Sequence, residues 1–355
     1  MLRQSRKLQH INQALHLYQT HQDGTLLQDV KLLHNCLPEL GLADIKLDME
    51  FVGKQIAAPI MINALTGGSD DVFIYNKRLA ALAAKLNIPI AVGSQFSAVE
   101  KREMRYTFEI VRELNPTGLV LGNVGAHASI EQAREIVKMI GADALQIHIN
   151  PAQELIMSEG DRDFKGYLAN ILAIATALDV PVIVKETGCG MAATEIEQLA
   201  AAGIRYFDIG GAGGTNFLAI EAGRAGVNLE AEFLNWGIPT AASVLQAGSV
   251  LDDSKCLIAT GGIHNAMQVA KVLSLGADLA GMAMYFLELV RRQADSEACQ
   301  AEFEQLLLDL KKILLLSGCS NPAQLRNKKL YIGAALRHWT ELCALSSDRV
   351  SIKRR

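Results

Sequence analysis

The sequence predicts an α/β fold: a (β/α)8 TIM barrel with an N-terminal extension and a C-terminal helical tail. Three observations predict it. Eight short apolar or β-branched runs recur along the 355-residue chain. Several are apolar throughout, as strands buried on both faces of a parallel sheet are. Ala/Leu-rich stretches with helical spacing separate them. Polar or Gly-rich clusters follow the runs, at the face where barrel active sites lie.

The runs are Pro59–Leu65, Pro89–Gly93, Gly118–Val124, Ala144–Asn150, Pro181–Glu186, Tyr206–Gly211, Leu257–Gly261 and Leu279–Met282. Residues 1–50 read as a polar, partly helical extension, 51–295 as the barrel and 296–355 as the tail, all within one domain. Between strands one and two, Asn76–Leu86 (NKRLAALAAKL) has a helical pattern. After strand three, Ser129 and Gln132 form a capping box for a helix that stops at Gly141. Ala212–Lys255 is longer than an ordinary βα connection and holds Glu221, Asn235, Trp236 and Gly237. It is expected to form a lid or a protein contact. In the tail, AEFEQLLLDLKKILLLSG is strongly apolar on one face and is expected to pack on the barrel or on a neighbouring subunit.

The end of strand four carries the sharpest chemical signal. His148 and Asn150 lie two apart and so share a face. Pro151 ends the strand and is followed at once by Gln153 and Glu154. An amide beside a carboxylate at a strand mouth suits a metal ion and a polar substrate. The alternative is a polar turn that caps the next helix. The glycines of GGAGGT at strand six and of TGGI at strand seven let backbone N–H groups converge on an anion, with Thr215 adding a hydroxyl. The end of strand eight, Gly281-Met282-Ala283, completes a barrel phosphate site. Lys185 ends the buried run VIVK. It either pairs with Glu186 or solvent, or stabilises the negative edge of a reduced flavin. His127 and His264 are read as structural or exposed.

Composition excludes several classes. Net charge is −4 with both signs mixed, which gives no nucleic-acid or membrane bias. The basic N-terminus, MLRQSRKLQHINQ, has no apolar core and is not a secretory signal. The run Phe233–Leu251 is too polar to span a membrane. Six scattered cysteines lack metal or redox spacing, which points to reduced thiols in a cytoplasm.

Taken in order, Arg6-Lys7…His10, INALTGGS, VGSQ, GNVG, QIHINPAQE, GDRDF, PVIVKE, DIGGAGGTNF, NWGIPTAAS and ATGGI resemble the type 2, flavin-dependent isopentenyl-diphosphate isomerase family. HINPAQE and GGAGGTNF are the most specific of these, and the resemblance covers nearly the whole chain. It implies interconversion of isopentenyl and dimethylallyl diphosphate with FMN, Mg2+ and a reductant such as NADPH, in a homo-oligomer (tetramer or octamer). It also implies that Thr66, Gly67, Gly68, Ser94 and Asn123 border the flavin, and that Lys185 meets its N1 side. Thr215, Gly261, Gly262, Gly281 and Met282 would hold its phosphate. Arg6, Lys7 and His10 would clamp the substrate diphosphate. His148, Asn150 and Gln153 would line the substrate pocket, the proton being moved by the flavin itself or through Gln153, and Glu154 would bind Mg2+. The family pattern places Arg after the Ser-Gln of VGSQ. This chain has Phe96 there, so any diphosphate contact from that side chain is lost or replaced.

Two other readings stay open on the residues alone. One is an FMN oxidoreductase of the hydroxy-acid oxidase or IMP dehydrogenase kind. The former needs a His base after strand six, where this chain has GGAGGTNF; for the latter, Cys189 is the nearest candidate nucleophile. The other is a non-catalytic flavin- or phosphate-binding protein.

Overall fold

In a computed structural model, which describes residues 24–64, 67–293 and 295–342, eight parallel strands close into a barrel. The strands are β1 (Ile60–Ile62), β2 (Ile90–Ala91), β3 (Val120–Gly125), β4 (Ala144–Ile149), β5 (Val182–Glu186), β6 (Tyr206–Asp208), β7 (Cys256–Thr260) and β8 (Leu279–Met282). Each pairs with its sequence neighbours, and β8 closes on β1 with Ala280 opposite Ile60. All eight expected strands are present.

Most are shorter than their sequence runs, for a physical reason. Three runs begin with proline, which accepts hydrogen bonds but has no N–H to donate. Ala280, Ile62 and Leu145 donate to the carbonyls of Pro59, Pro89 and Pro181 at 2.9 Å each, and regular pairing starts one residue later. At the other ends, glycines in the left-handed region, such as Gly210 and Gly261, bend the chain away after β6 and β7.

The helices follow the expected pattern. Ser129 Oγ accepts from Gln132 N at 3.2 Å and Gln132 Oε1 accepts from Ser129 N at 2.8 Å, so the capping box opens Ile130–Met139. Gly141 at φ 52° follows its end. The tail helix runs Ser296–Leu316 and packs on the barrel's outer layer through Phe303, Leu306, Leu310 and Leu314, with Phe303 against Phe286.

The extension is less polar in its packing than its composition suggests. Leu27, Val30, Ile45 and Leu47 are buried in the main core. Val30–Leu32 pairs antiparallel with Leu330–Ile332, which ties the two flanking regions together. A hairpin, Met49–Phe51 and Lys54–Ile56, plugs the lower end of the barrel. Ala212–Lys255 contributes three helices. Two of them, Phe217–Ala225 and Ala231–Leu234, lie over the mouth side. The third, Thr240–Val250, is an ordinary buried barrel helix with eight buried residues, Thr240 to Ala247. Among the described residues, no helix is long and apolar enough to cross a membrane.

Candidate active site

Alternation along the strands divides the barrel interior into two halves. The lower half is apolar: Met61, Leu121, Ala144, Ile183, Ile258 and Leu279 pack on Phe51 and Ile56 of the hairpin. Two residues further along the same faces, the side chains become polar. Asn63, Asn123, Gln146, Lys185, Asp208 and Thr260 form this layer.

They are joined by hydrogen bonds. Asn123 Nδ2 donates to Gln146 Oε1 at 3.0 Å, and Gln146 Nε2 donates to Asn63 Oδ1 at 2.9 Å. Asn63 Nδ2 donates to Asp208 Oδ2 at 2.6 Å and to Thr260 Oγ1 at 2.7 Å. Lys185 Nζ lies 3.5 Å from Asp208 Oδ2 and donates to the Glu186 carbonyl at 2.8 Å. Lys185 is therefore paired with Asp208, not with the Glu186 carboxylate. That carboxylate turns to the backbone, where Oε2 accepts from the N–H groups of Gly188, Cys189 and Gly190 at 2.5, 2.6 and 3.0 Å. Burial pushes the Glu186 carboxyl up to about 7, against those three donors and Lys185.

His148 stands above this layer. Its Nδ1 is 2.9 Å from Asn123 Oδ1, an acceptor, so Nδ1 carries the proton and Nε2 is free to accept. Burial, then the charges of His127 and Lys185, push its pKa down to about 3. His148 is thus a neutral imidazole at physiological pH, not a cationic acid.

The expected polar turn after β4 is the first turn of a helix, Pro151–Ile156, with Pro151 at its N-terminal position. This places Gln153 and Glu154 side by side. Asn150 Nδ2 donates to both, to Gln153 Oε1 at 3.2 Å and to Glu154 Oε1 at 2.9 Å. Glu154 Oε2 accepts from Asp161 N at 3.0 Å. Gln153 Nε2 donates to Glu221 Oε1 at 3.0 Å, and the other oxygen of Glu221 accepts from Arg224 Nε at 2.7 Å. Among the described residues, no group of three or more His, Cys, Asp or Glu is placed to hold a metal ion. Glu154 is therefore a single carboxylate that would share a cation with substrate oxygens and water, an arrangement Mg2+ favours.

The Gly-rich turns meet at the same face. A Cβ on Gly214 would fall 2.6 Å from Gly262 N, and one on Gly262 would fall 2.4 Å from Gly213 O. The turns after β6 and β7 thus pack backbone on backbone, a close approach that only glycine allows. The helix Met284–Arg292 begins just beyond β8 and turns its first N–H groups toward this end. Such a convergence of backbone donors fits a phosphate. With the polar layer and Lys185 beside it, the site fits FMN.

Gly281 and Met282, expected to hold the phosphate, lie at the end of β8. A Cβ on Gly281 would lie 2.1 Å from Thr260 Oγ1, so this glycine makes room for the Thr260–Asn63 bond inside the barrel. The Met282 side chain is buried in the outer core, which leaves only its backbone for a cofactor. Gly67 and Gly68 are buried at the end of β1, with Gly68 N donating to Thr107 Oγ1 at 2.9 Å. Ser94 is half-buried after β2, and Thr215 lies in the turn after β6. Phe96 stacks edge-on against His127, with ring centroids 5.2 Å apart. Arg6, Lys7, His10 and Thr66 lie outside the described residues. Gly24 and Thr25 pack on Gly213, so the described chain begins at this face.

Sequence reading missed Asp208 and the wider amide network, and noted Glu221 only as part of a lid or protein contact. Asp208 and Gln146 leave a signal, a polar residue on the inward face of an otherwise apolar strand. Glu221 leaves none, because only folding brings it to Gln153.

Curated relatives decide the family. A protein from Moorella thermoacetica named isopentenyl-diphosphate delta-isomerase is 45% identical over 337 residues, 95% of each chain. One of the same name from Methanopyrus kandleri is 37% identical, covering 97% of this chain and 96% of its own. The chain belongs to the isopentenyl-diphosphate delta-isomerases. The family expected from the motifs is thus the one found. No family model matches this isomerase-family chain. Its fold is shared with mandelate oxidase. A solved mandelate oxidase carrying a monooxide FMN adduct superposes with a TM-score of 0.64 over 88% of this chain and 91% of that chain, at 15% identity.

Proposed function

We propose that the protein interconverts isopentenyl diphosphate and dimethylallyl diphosphate, using bound reduced FMN and Mg2+ with NADPH as reductant. The observation that carries this reading is the Gln153–Glu221 pair beside Glu154, above the polar layer that holds Lys185.

Moving a double bond along an allylic diphosphate requires a proton added at one carbon and removed at another. Reduced FMN would supply an electron-rich partner for the developing cation and a proton carrier at N5. The chain's own residues handle the rest. Glu154, fixed by Asn150 and the Asp161 N–H, would hold Mg2+. When bound, Mg2+ would supply charge neutralisation of the diphosphate, which disfavours its departure. Arg6, Lys7 and His10 would add charge-assisted bonds to the same diphosphate. Gln153 offers a donor and an acceptor at one place, with Glu221 behind it to take or return a proton. His148, neutral and oriented by Asn123, presents Nε2 as an acceptor. Thr66, Gly67, Gly68, Ser94 and Asn123 would border the flavin, and Thr215, Gly261, Gly262 and the backbone of Gly281 and Met282 its phosphate. We further place the protein in the cytoplasm as a tetramer or octamer, a size that light scattering on the purified protein would check.

The oxidoreductase reading has less support. Strand six ends in GGAGGTNF and offers no His of the kind a hydroxy-acid oxidase needs as its base. Burial, then Glu186, push the Cys189 thiol up to about 12, which keeps it from serving as a thiolate nucleophile.

The test is conversion of isopentenyl diphosphate by protein supplied with FMN, Mg2+ and NADPH. Dimethylallyl diphosphate should form, and Glu154→Gln should raise the Mg2+ requirement without releasing the flavin. No product with flavin bound would overturn the isomerase reading. An unshifted Mg2+ titration would put the metal elsewhere.

A further inference from the structure

Asp208 is a fully buried carboxylate in the barrel interior, and its Oδ1 has no hydrogen-bond partner among the described residues. A buried charge loses hydration that one ion pair often fails to offset. An orphaned buried oxygen adds to that cost. An isosteric asparagine would still accept the hydrogen bond from Asn63 without that charge. What the carboxylate uniquely supplies is its negative charge, 3.5 Å from Lys185 Nζ.

Lys185 has three N–H donors. The Glu186 carbonyl takes one at 2.8 Å, and Asp208 draws a second. That leaves a third for a ligand at the barrel mouth. Asn63 Nδ2, 2.6 Å from Asp208 Oδ2, partly offsets the carboxylate's charge. The charge felt above the layer is therefore set by three residues on separate strands, with Asp208 lowering it and Asn63 moderating Asp208.

We propose that Asp208 is a positioning residue for Lys185, and that from beneath the polar layer it sets how much of the lysine's positive charge reaches a flavin at the mouth. The proposal rests on the FMN reading above. A reduced flavin is negative at its N1 edge, so the balance between Lys185 and Asp208 fixes the preference for reduced over oxidised FMN. Without Asp208, Lys185 would hold the reduced form more tightly. With it, the cofactor stays a stronger electron donor to the developing cation.

The experiment is the two-electron midpoint potential of bound FMN, alongside Kd for oxidised FMN, in wild-type protein and in Asp208→Asn. The variant is expected to raise the ratio of affinities for reduced over oxidised FMN about tenfold, a shift of about 30 mV toward less negative potential. A merely structural ion pair would leave the potential where it was. An unchanged or more negative potential in folded, FMN-loaded Asp208→Asn would overturn the proposal while sparing the flavin reading. Should Asp208→Asn not fold, Asn63→Ser decides. Removing the amide that moderates Asp208 should shift the potential the other way, and no shift would overturn the proposal. Wild-type protein that retains no FMN after desalting would bring down both readings.

Discussion

The lower and upper halves of the barrel interior are built from the same strands by opposite means. Below, Met61, Ile183, Ile258 and Leu279 fill space with apolar side chains sealed by the Phe51–Ile56 hairpin. Above, Asn63, Gln146, Lys185, Asp208 and Thr260 fill it with hydrogen bonds and one buried ion pair. Only two residues of strand separate the halves. The lower half draws its stability from transfer and packing, which are non-directional. The upper half draws its order from paired groups, each of which becomes a liability once its partner is gone. Sites for chemistry are cheap to place in the second environment because the polar groups are already held.

The contrast can be broken most strongly at Lys185. Lys185→Met should cost about 3–5 kcal/mol by leaving the Asp208 charge uncompensated, read from urea or thermal unfolding of the apoprotein. The double variant Lys185→Met/Asp208→Asn should regain most of that loss. If the two losses simply add, the ion pair is not the coupling. Next comes Gln153→Ala, which should leave unfolding nearly unaltered yet lower turnover at saturating Mg2+ on the order of a hundredfold if the Gln153–Glu221 pair handles a proton. Full turnover would remove Gln153 from the mechanism. In the lower half the pattern should invert. Ile183→Val should cost about 0.5–1.5 kcal/mol of stability with FMN affinity and kcat untouched, and a changed Kd for FMN would show that the halves are not separable.

The smallest effect is on pH. His148 and His264 are pushed down to about 3 and 4. The folded protein therefore binds fewer protons there than an unfolded chain whose histidines titrate near ~6.5. That contribution is present above ~6.5 and is lost as pH falls toward those depressed values. Glu186, raised to about 7, acts in the opposite sense and regains stability as pH falls from 7. Two groups losing against one gaining give a modest net fall in Tm between pH 7 and 5. His148→Asn should flatten or reverse that slope, and an unaltered slope would assign it to other groups.

The sequence made the barrel legible because each strand is announced twice, by an apolar run and by the glycine or polar cluster that ends it. The Ser129 capping box and the tail helix were legible for similarly local reasons. His148, Asn150, Gln153 and Glu154 were legible as a group because strand and turn keep neighbours together. Asp208 and Glu221 were not. The first reads as one polar residue in an apolar strand, and its partners Asn63 and Lys185 lie 145 and 23 positions away. The second sits in an insertion and meets Gln153 across 68 positions. Gly281 carries a second constraint that was not legible, since the room it leaves for the Thr260–Asn63 bond appears only in three dimensions.

The pairing of Val30–Leu32 with Leu330–Ile332 sets the timetable of assembly. A ribosome adds about 5–20 residues per second, so the early strand waits on the order of 15–60 s for its partner to be made. Until then Asp29 lacks both the Gly333 and the Leu336 N–H groups that it later accepts from. Val30–Leu32 is thus paired only after every barrel strand has emerged, so the clasp between the two flanking regions is the last part of the sheet structure that synthesis permits.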